Sequence, residues 1–367
     1  MEKLAYRLKD SFSVFKEKLT SPKAVRIFDK VSKVLRTIIP IIAIYAILIT
    51  FSYIFMSPIL RVFVDSFKIK DDITNPDVVW IPTKLTFNNY LDAGKALWLY
   101  RIDTANDNAV VSTLFNSALY SFLSAVLQTF VSCIAGYAFA RFSFKGKKLW
   151  FAGLILAFII PVQLLTLPRS MMMVDFMNAT SSPSKFLGIK ENFHVDASLS
   201  VITTLPVLVL TLFGQGVNSS ILTFIAFSFF KMIPIALDEA AQIDGANFFQ
   251  IFYHIILKMS IPTILVIFLF AFIWNWNDTY VIGHLTAASG GNNLSFKSLP
   301  QSLDGFVYRV SQGEQMSGIS GSSDNTKNNA GLRSAAIITS ILPLLILYAF
   351  TQRKFVEGIE NTGVTGV

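Results

Sequence analysis

The chain has 367 residues, 53% hydrophobic, 14% aromatic and only 15% charged, with a mean hydropathy of +0.55. Soluble domains usually carry about 25% charged residues, so this composition excludes one and demands lipid as solvent. The net charge of +8 does not signal nucleic acid, because the basic residues flank apolar segments as cytoplasmic loops do; the single Cys133 excludes an intrachain disulfide or a Cys-based metal site.

Residues 1–37 form a basic segment, with Lys3, Arg7, Lys9, Lys16, Lys18, Lys23, Arg26, Lys30, Lys33 and Arg36 between Leu4, Leu8, Phe12, Phe15 and Leu19. This fits either an amphipathic helix on an anionic leaflet, broken at Ser21-Pro22, or a solvated basic tail. Both readings keep this end cytoplasmic. No cleavable signal is expected, since the first apolar run starts near Ile38. Residues 38–60 are the first span, matching the roughly 20 residues that a bilayer core needs. Residues 61–108 make a polar external loop with Pro76, Pro82, Asn88, Asn89 and seven Asp.

The second span covers about residues 110–140, and Gln128 and Gly136 inside it suit a helix packed on other helices. Arg141, Lys145, Lys147 and Lys148 place the next turn inside. The third span runs from Leu149 to about Met173, kinked at Pro161; residues 174–198 are a second external loop. Residues 199–230 are too long for one straight span and short for two, and Gly214, Gly216, Asn218, Ser219 and Ser220 cut them in the middle. One discontinuous helix is expected, its break facing protein or a water-filled path; a re-entrant pair or two short spans is the alternative. Residues 231–258 form a cytoplasmic loop and 259–283 the fifth span, so that 109–283 hold spans two to five. A Gly/Ser-rich external loop follows at 284–334, then the sixth span at 335–352 and a cytoplasmic tail at 353–367. The fold expected is all-α and polytopic, with six spans and both termini cytoplasmic.

A charged, small-residue stretch, Glu239-Ala-Ala-Gln-Ile-Asp244-Gly245-Ala246, lies in the loop between spans four and five of this otherwise apolar chain. Asp238 is the expected N-cap and Glu239 suits the positive helix end. Asp244-Gly245 is a stop signal. A second helix is expected from Ala246, with Phe248, Phe252 and Ile255 as its apolar stripe. Composition alone allows either an interfacial amphipathic helix or an element that docks on a partner, its small residues permitting close approach.

Glu239, Ala240, Ala241, Asp244, Gly245, Ala246, Ile255 and Leu257 stand in the register of a known signature. The pattern resembles the Glu-Ala-Ala loop of permease subunits of ATP-binding-cassette importers. It departs at Lys258, where the family usually has Pro, although Pro262 fits a second Pro common there. Phe229-Phe-Lys-Met-Ile-Pro234 and Trp276-Asn277-Asp278 are similar to the carbohydrate, maltose-type branch. So are Asn116-Ser117, Tyr137-Ala-Phe-Ala-Arg141, Phe144-Lys-Gly146, Leu85-Thr86 with Asn89-Tyr90, and Phe355-Val-Glu-Gly358. The resemblance covers residues 85–173, 225–283 and 335–367; the basic extension, 174–198 and 311–331 fit poorly.

The resemblance implies a type I ABC importer permease fold in the bacterial plasma membrane. It implies a second homologous permease subunit as heterodimer partner, two cytoplasmic ATPase subunits and an extracellular solute-binding lipoprotein that delivers a sugar. The Glu-Ala-Ala loop is then the coupling helix, seated in a cleft of the ATPase, with Glu239 facing a basic ATPase residue and Gly245 permitting close approach.

The chemistry legible in the residues agrees with a transport subunit rather than an enzyme. No phosphate loop, His-Glu-x-x-His, Cys cluster or nucleophile elbow occurs, so no catalytic residue, metal or cofactor is expected and ATP hydrolysis falls to partners. Asp278 ends the fifth span, either as a functional intramembrane acid or as a helix-end residue among headgroups. Trp274, Asn275, Trp276 and Asn277 are either a saccharide path, with aromatic faces and amides, or an interfacial aromatic belt. Gln215 and Asn218 either line the same path or are packing polarity. The competing readings are an ion-gradient-driven secondary transporter, which predicts an internal repeat and mid-span charge that the sequence does not show, a membrane-embedded enzyme, and an ABC permease for a non-sugar solute.

Overall fold

Helix is the regular structure throughout the described residues, as lipid requires of a backbone that must satisfy its own hydrogen bonds. The computed structural model describes residues 22–97, 99, 112–160, 164–165, 168, 171–172, 205–283, 298–312 and 330–363. The chain divides into two compact units, residues 1–63 and 64–367. Helix α1, Pro22–Ser66, supplies the first of them as far as Phe63. It opens on a proline, whose missing N–H costs nothing at a first helical position, and runs unbroken past Pro40 and Pro58. Part of the basic segment and the whole first span are therefore one helix. Its apolar side chains, among them Ile42, Ile49, Tyr53 and Phe55, are exposed.

In the second unit, residues 64–97 are a folded scaffold where a polar loop was expected. Two helices, α2 (Lys70–Thr74) and α3 (Asn88–Ala96), are tied down by buried polar groups. Lys68, 4% exposed, pairs with Asp65 at 2.7 Å and donates to the carbonyls of Val78 and Val79 at 3.0 and 2.8 Å. The Asp72 carboxylate accepts from the Thr83 hydroxyl and amide at 2.5 and 2.8 Å. That hydroxyl holds the Asp72 carboxyl below the usual range, against the effect of burial. Asn89 Nδ2 donates to the carbonyls of Ser66 and Lys68, both at 2.9 Å.

Helix α4, Thr113–Arg141, is the centre of this unit. Ser112 caps it by accepting from Phe115 N–H at 3.3 Å. At about 1.5 Å per residue it is long enough to cross a bilayer. It packs on α7 (Ser219–Met232) and α10 (Ile261–Trp276) through Ala125, Cys133, Tyr137, Leu222, Ala226 and Ile267. Lipid tails are as apolar as these side chains, so contact distance rather than water exclusion holds such helices. Gly136 supplies the closest approach: a Cβ there would lie 2.6 Å from Ala226 Cβ and 2.8 Å from Phe227 N.

The remaining apolar stretches are interrupted. Helix α5, Lys147–Ile159, stops before Pro161, so the expected kink there lies outside the described residues, as do residues 174–198. Residues 205–232 are broken: α6 (Leu205–Leu210) continues as a π turn, Thr211–Gln215, and α7 restarts at Ser219 with a 43° bend. Gly214 and Asn218 flank the break with φ +77° and +54°. Left-handed backbone is routine for Gly and tolerated by Asn. Within 284–334 the described part contains helix α11, Leu299–Gln312; α12 then runs from Ala330 to Gly363, beginning before residue 335 and ending well past 352. Among the described residues, three helices are long and apolar enough to cross a membrane: Arg36–Ser66, Thr113–Arg141 and Ala330–Arg353. The number becomes five if each of two bent pairs counts as one span.

Candidate functional site

The loop between α7 and α10 is shaped by strong local signals. Pro234 disfavours the helical conformation for the residue before it, and Ile233 is extended at φ −67°, ψ 127°, ending α7. Pro234 then caps α8, Ile235–Ile243. The cap expected at Asp238 is displaced because Ile235, Ala236 and Leu237 continue the helix toward that proline; Asp238 lies in the first turn. A Schellman turn closes α8: Ala246 N–H donates to Ala241 O at 2.9 Å and Gly245 N–H to Gln242 O at 3.0 Å, with Gly245 at φ +84°. The second helix, α9 (Phe248–Ile251), starts later than Ala246 because Asn247 is held outside it by a capping box with Gln250, at 2.9 and 2.8 Å.

The chain next passes through a π turn, Phe252–Ile256, and bends by 80° into α10. The bend falls at Ser260 and Pro262, beyond the exposed Lys258. The π turn also changes the inward face: Ile251 and Ile256, five apart, are buried, whereas Phe248 of the expected stripe is exposed. Of the signature residues, Ala241 is buried, Ala246 is half-buried, and Glu239, Ala240, Asp244 and Gly245 are exposed. Ile243 and Phe249, 87% and 85% exposed, stand at the tip beside them.

One clamp fastens this loop to the central helix. Arg141, the last residue of α4, pairs through Nε with Asp238 Oδ2 at 3.1 Å and donates from an η nitrogen to Ile233 O at 2.8 Å. Both side chains are nearly buried, 8% and 11% exposed. Burial pushes the Asp238 carboxyl above its ordinary range; Arg141 pulls it back in part and Glu239 adds to the rise. Arg141 was legible only as a member of a basic turn, and Asp238 as a cap; neither signal revealed the pair.

The candidate path residues divide. Asn275 is buried and Gln215 exposed, and both line one small recess with Tyr120, Thr211 and Val281. Asn218 is half-buried and turns the chain into α7. Trp274 and Trp276 do not meet: two helical positions apart, they point to opposite sides. Trp274 stacks on Phe270, centroids 5.5 Å apart, while Trp276 is buried with Leu97, Leu299 and Leu332. Asn277 is exposed and donates to Ile273 O at 3.0 Å. Asp278 is buried, its Oδ1 accepting from Tyr280 and Val281 N–H at 3.1 Å each, as a helix cap does.

Gln128, on α4, is the residue that connects these elements. Its Nε2 donates to Val217 O and, at 3.0 Å, to Ser219 Oγ; its Oε1 accepts from Asn275 Nδ2 at 2.9 Å. In the sequence it was legible only as polarity suited to a helix packed on other helices.

The sequence profile of the binding-protein-dependent transport system inner membrane components matches residues 128–360. The trehalose transport system permease protein SugB of Mycobacterium tuberculosis is 25% identical over 309 residues, 84% of this chain and 92% of that protein. The polygalacturonan/rhamnogalacturonan transport system permease protein YtcP of Bacillus subtilis is 28% identical over 323 residues, 88% and 97%. In fold the chain is similar to a chain of a bacterial ABC transporter involved in import of the acidic polysaccharide alginate. The TM-score is 0.58 at 19% identity, covering 91% of this chain and 99% of that one.

Proposed function

We propose, because the chain belongs to the family of binding-protein-dependent transport system inner membrane components, that it is the membrane permease subunit of an ATP-driven carbohydrate importer. The observation that carries this reading is the projecting turn around Gly245, with Glu239, Ala240 and Asp244 exposed and the base of α8 clamped to α4 by Arg141. Such a turn fits a groove on an ATPase subunit, and the clamp passes its movement to the central helix. Two cytoplasmic ATPases, a second homologous permease and an external sugar-delivering lipoprotein complete the assembly. Six spans with both ends on the ATPase side place the loop correctly for this role. Carbohydrate as cargo is supported by the sugar-polymer and trehalose systems of the relatives, and by the amides of Gln215 and Asn275, which line one recess and suit hydroxyl groups.

Deleting residues 237–247 is expected to abolish co-purification of the ATPase subunits while the chain still inserts in the membrane. Retention of the ATPases by the deletion variant would sink the coupling role. A panel of sugars and non-sugar solutes, scored by binding-protein-stimulated ATP hydrolysis, tests the cargo class.

A milder change tests the turn. Gly245 has open space where a Cβ would go, so Gly245→Val meets no neighbour and pays only for its left-handed backbone, about 1–2 kcal/mol. ATPase retention is expected to fall roughly tenfold for Gly245→Val and less for Gly245→Asn, because Asn tolerates that conformation. Equal retention by both would remove the conformational account.

A further inference from the structure

We infer that Gln128 is a positioning residue that latches the broken span, and that its bond to Asn275 is the contact through which the helix after the coupling loop releases the latch. The inference rests on the importer reading above.

The break between Thr211 and Ser219 interrupts the helical hydrogen-bond ladder, and a carbonyl orphaned inside a membrane bundle is costly. Val217 O is such a carbonyl, and its donor comes from another helix, Gln128 Nε2. The second N–H of that nitrogen goes to Ser219 Oγ at 3.0 Å, so both donors of the amide hold the break. Its acceptor is held by Asn275 Nδ2 at 2.9 Å, which also bonds its own helix at Ala271 O, 2.7 Å. Gln128 is fully buried and Asn275 is 3% exposed.

The backbone of the break is pressed onto this amide. A Cβ on Gly216 would lie 3.0 Å from Gln128 Cδ and Nε2, and 2.8 Å from Ser219 Oγ. Gly214 and Asn218, both left-handed, keep the intervening residues out of the helix, with Gln215 exposed beside the recess.

The route into the latch is covalent. Helices α8 and α9 lead through the 80° bend at Ser260 directly into α10, which carries Asn275. Movement of the loop that rotates α10 withdraws Asn275 from Gln128. The amide is then free to leave Val217 O, and the break can change shape. Side chains that merely glue helices together would not place one amide between the loop's own helix and the orphan carbonyl of the break.

The test uses the assembled complex, with ATPases, partner permease and binding protein, in proteoliposomes. Gln128→Leu removes the donors and the acceptor at similar volume; Asn275→Ala removes the bond to Gln128 together with the one to Ala271 O within its own helix, and Ser219→Ala deletes one bond. Without binding protein, ATP hydrolysis is expected to rise at least roughly fivefold in Gln128→Leu and Asn275→Ala, since both lose the bond between the two amides and loss of one net hydrogen bond brings a shift of that size. Ser219→Ala is expected to shift it less, in the same direction. Sugar moved per ATP falls, and the Gln128→Leu, Asn275→Ala double variant behaves like either single one. Lowered thermal stability with unchanged basal hydrolysis and unchanged sugar per ATP overturns the inference. Should Gln128→Leu fail to assemble, unchanged basal hydrolysis in both other variants overturns it equally. A native complex whose hydrolysis ignores the loaded binding protein defeats the importer reading and this inference with it; a native response that the variants leave untouched defeats this inference alone.

Discussion

Replacing Arg141 by alanine is expected to reduce ATP-driven uptake by roughly a hundredfold, the equivalent of about 3 kcal/mol for one charge left behind in a buried pair. The loss has two sources in the geometry. Asp238 keeps its carboxylate in a nearly closed corner with no cation at 3.1 Å, and Ile233 O loses its donor. The base of the coupling loop then moves independently of α4. Uptake and ATP hydrolysis in reconstituted vesicles measure this, and Asp238→Asn in the Arg141→Ala background is expected to restore part of the loss by removing the stranded charge. Full uptake by Arg141→Ala would show that the loop is held by packing alone.

The same pair sets a pH dependence whose sign follows from burial. The folded Asp238 carboxyl binds its proton more tightly than the unfolded one, which titrates at the ordinary value of 3.8. The folded state therefore holds more protons between the two values. Stability from this group is fully present below 3.8, declines as pH rises toward the raised folded value, and is flat above it. Arg141→Ala is expected to extend the decline to higher pH, since it removes the influence that lowers the carboxyl. Asp238→Asn is expected to abolish it, and thermal denaturation across this range reads both.

Gly136→Leu is expected to prevent stable folding of the chain. Even a first side-chain carbon meets Ala226 Cβ at 2.6 Å and the backbone nitrogen of Phe227 at 2.8 Å. A flexible side chain could yield, but backbone cannot, so α4 and α7 must separate along their shared face. Overpacking costs about 1–3 kcal/mol where a core can adjust, and this contact leaves no room to do so. Gly153→Leu is the control, because nothing lies within 4 Å of its Cβ position. Equal melting temperatures for the two variants would show that the close approach is not structural. Ala226→Gly should relieve only part of the milder Gly136→Ala, since the Phe227 nitrogen stays in place.

Much of this architecture was written in local pattern. Apolar length gave the three helices long enough to cross a membrane among the described residues, and the Asp244-Gly245 stop gave the turn, because a left-handed residue is a demand that few side chains meet. Residues 64–97 hold more structure than their polarity suggests, for a physical reason. Their polarity looks like solvation, yet Lys68 and Asp72 turn it inward onto carbonyls and Thr83. The Trp274–Asp278 run looked like one surface because its residues are adjacent in sequence. The helix sends alternate members to opposite sides, so its two indoles enter different contacts. Arg141 with Asp238, and Gln128 with Val217 and Asn275, were beyond local pattern altogether. Each joins segments that only the packing of α4 brings together.

If the loop docks as proposed, the Schellman turn has a consequence for how tightly it would bind. Its shape is fixed by its own backbone, Ala246 to Ala241 and Gly245 to Gln242, and by the Asn247–Gln250 box. Nothing in that list belongs to a partner. On the docking role proposed above, the loop would meet its groove already ordered, and association would forgo the entropy that ordering a flexible segment costs, about 0.5–1.5 kcal/mol for each side chain immobilised. Binding energy from exposed Ile243 and Phe249 would then be available for holding the partner.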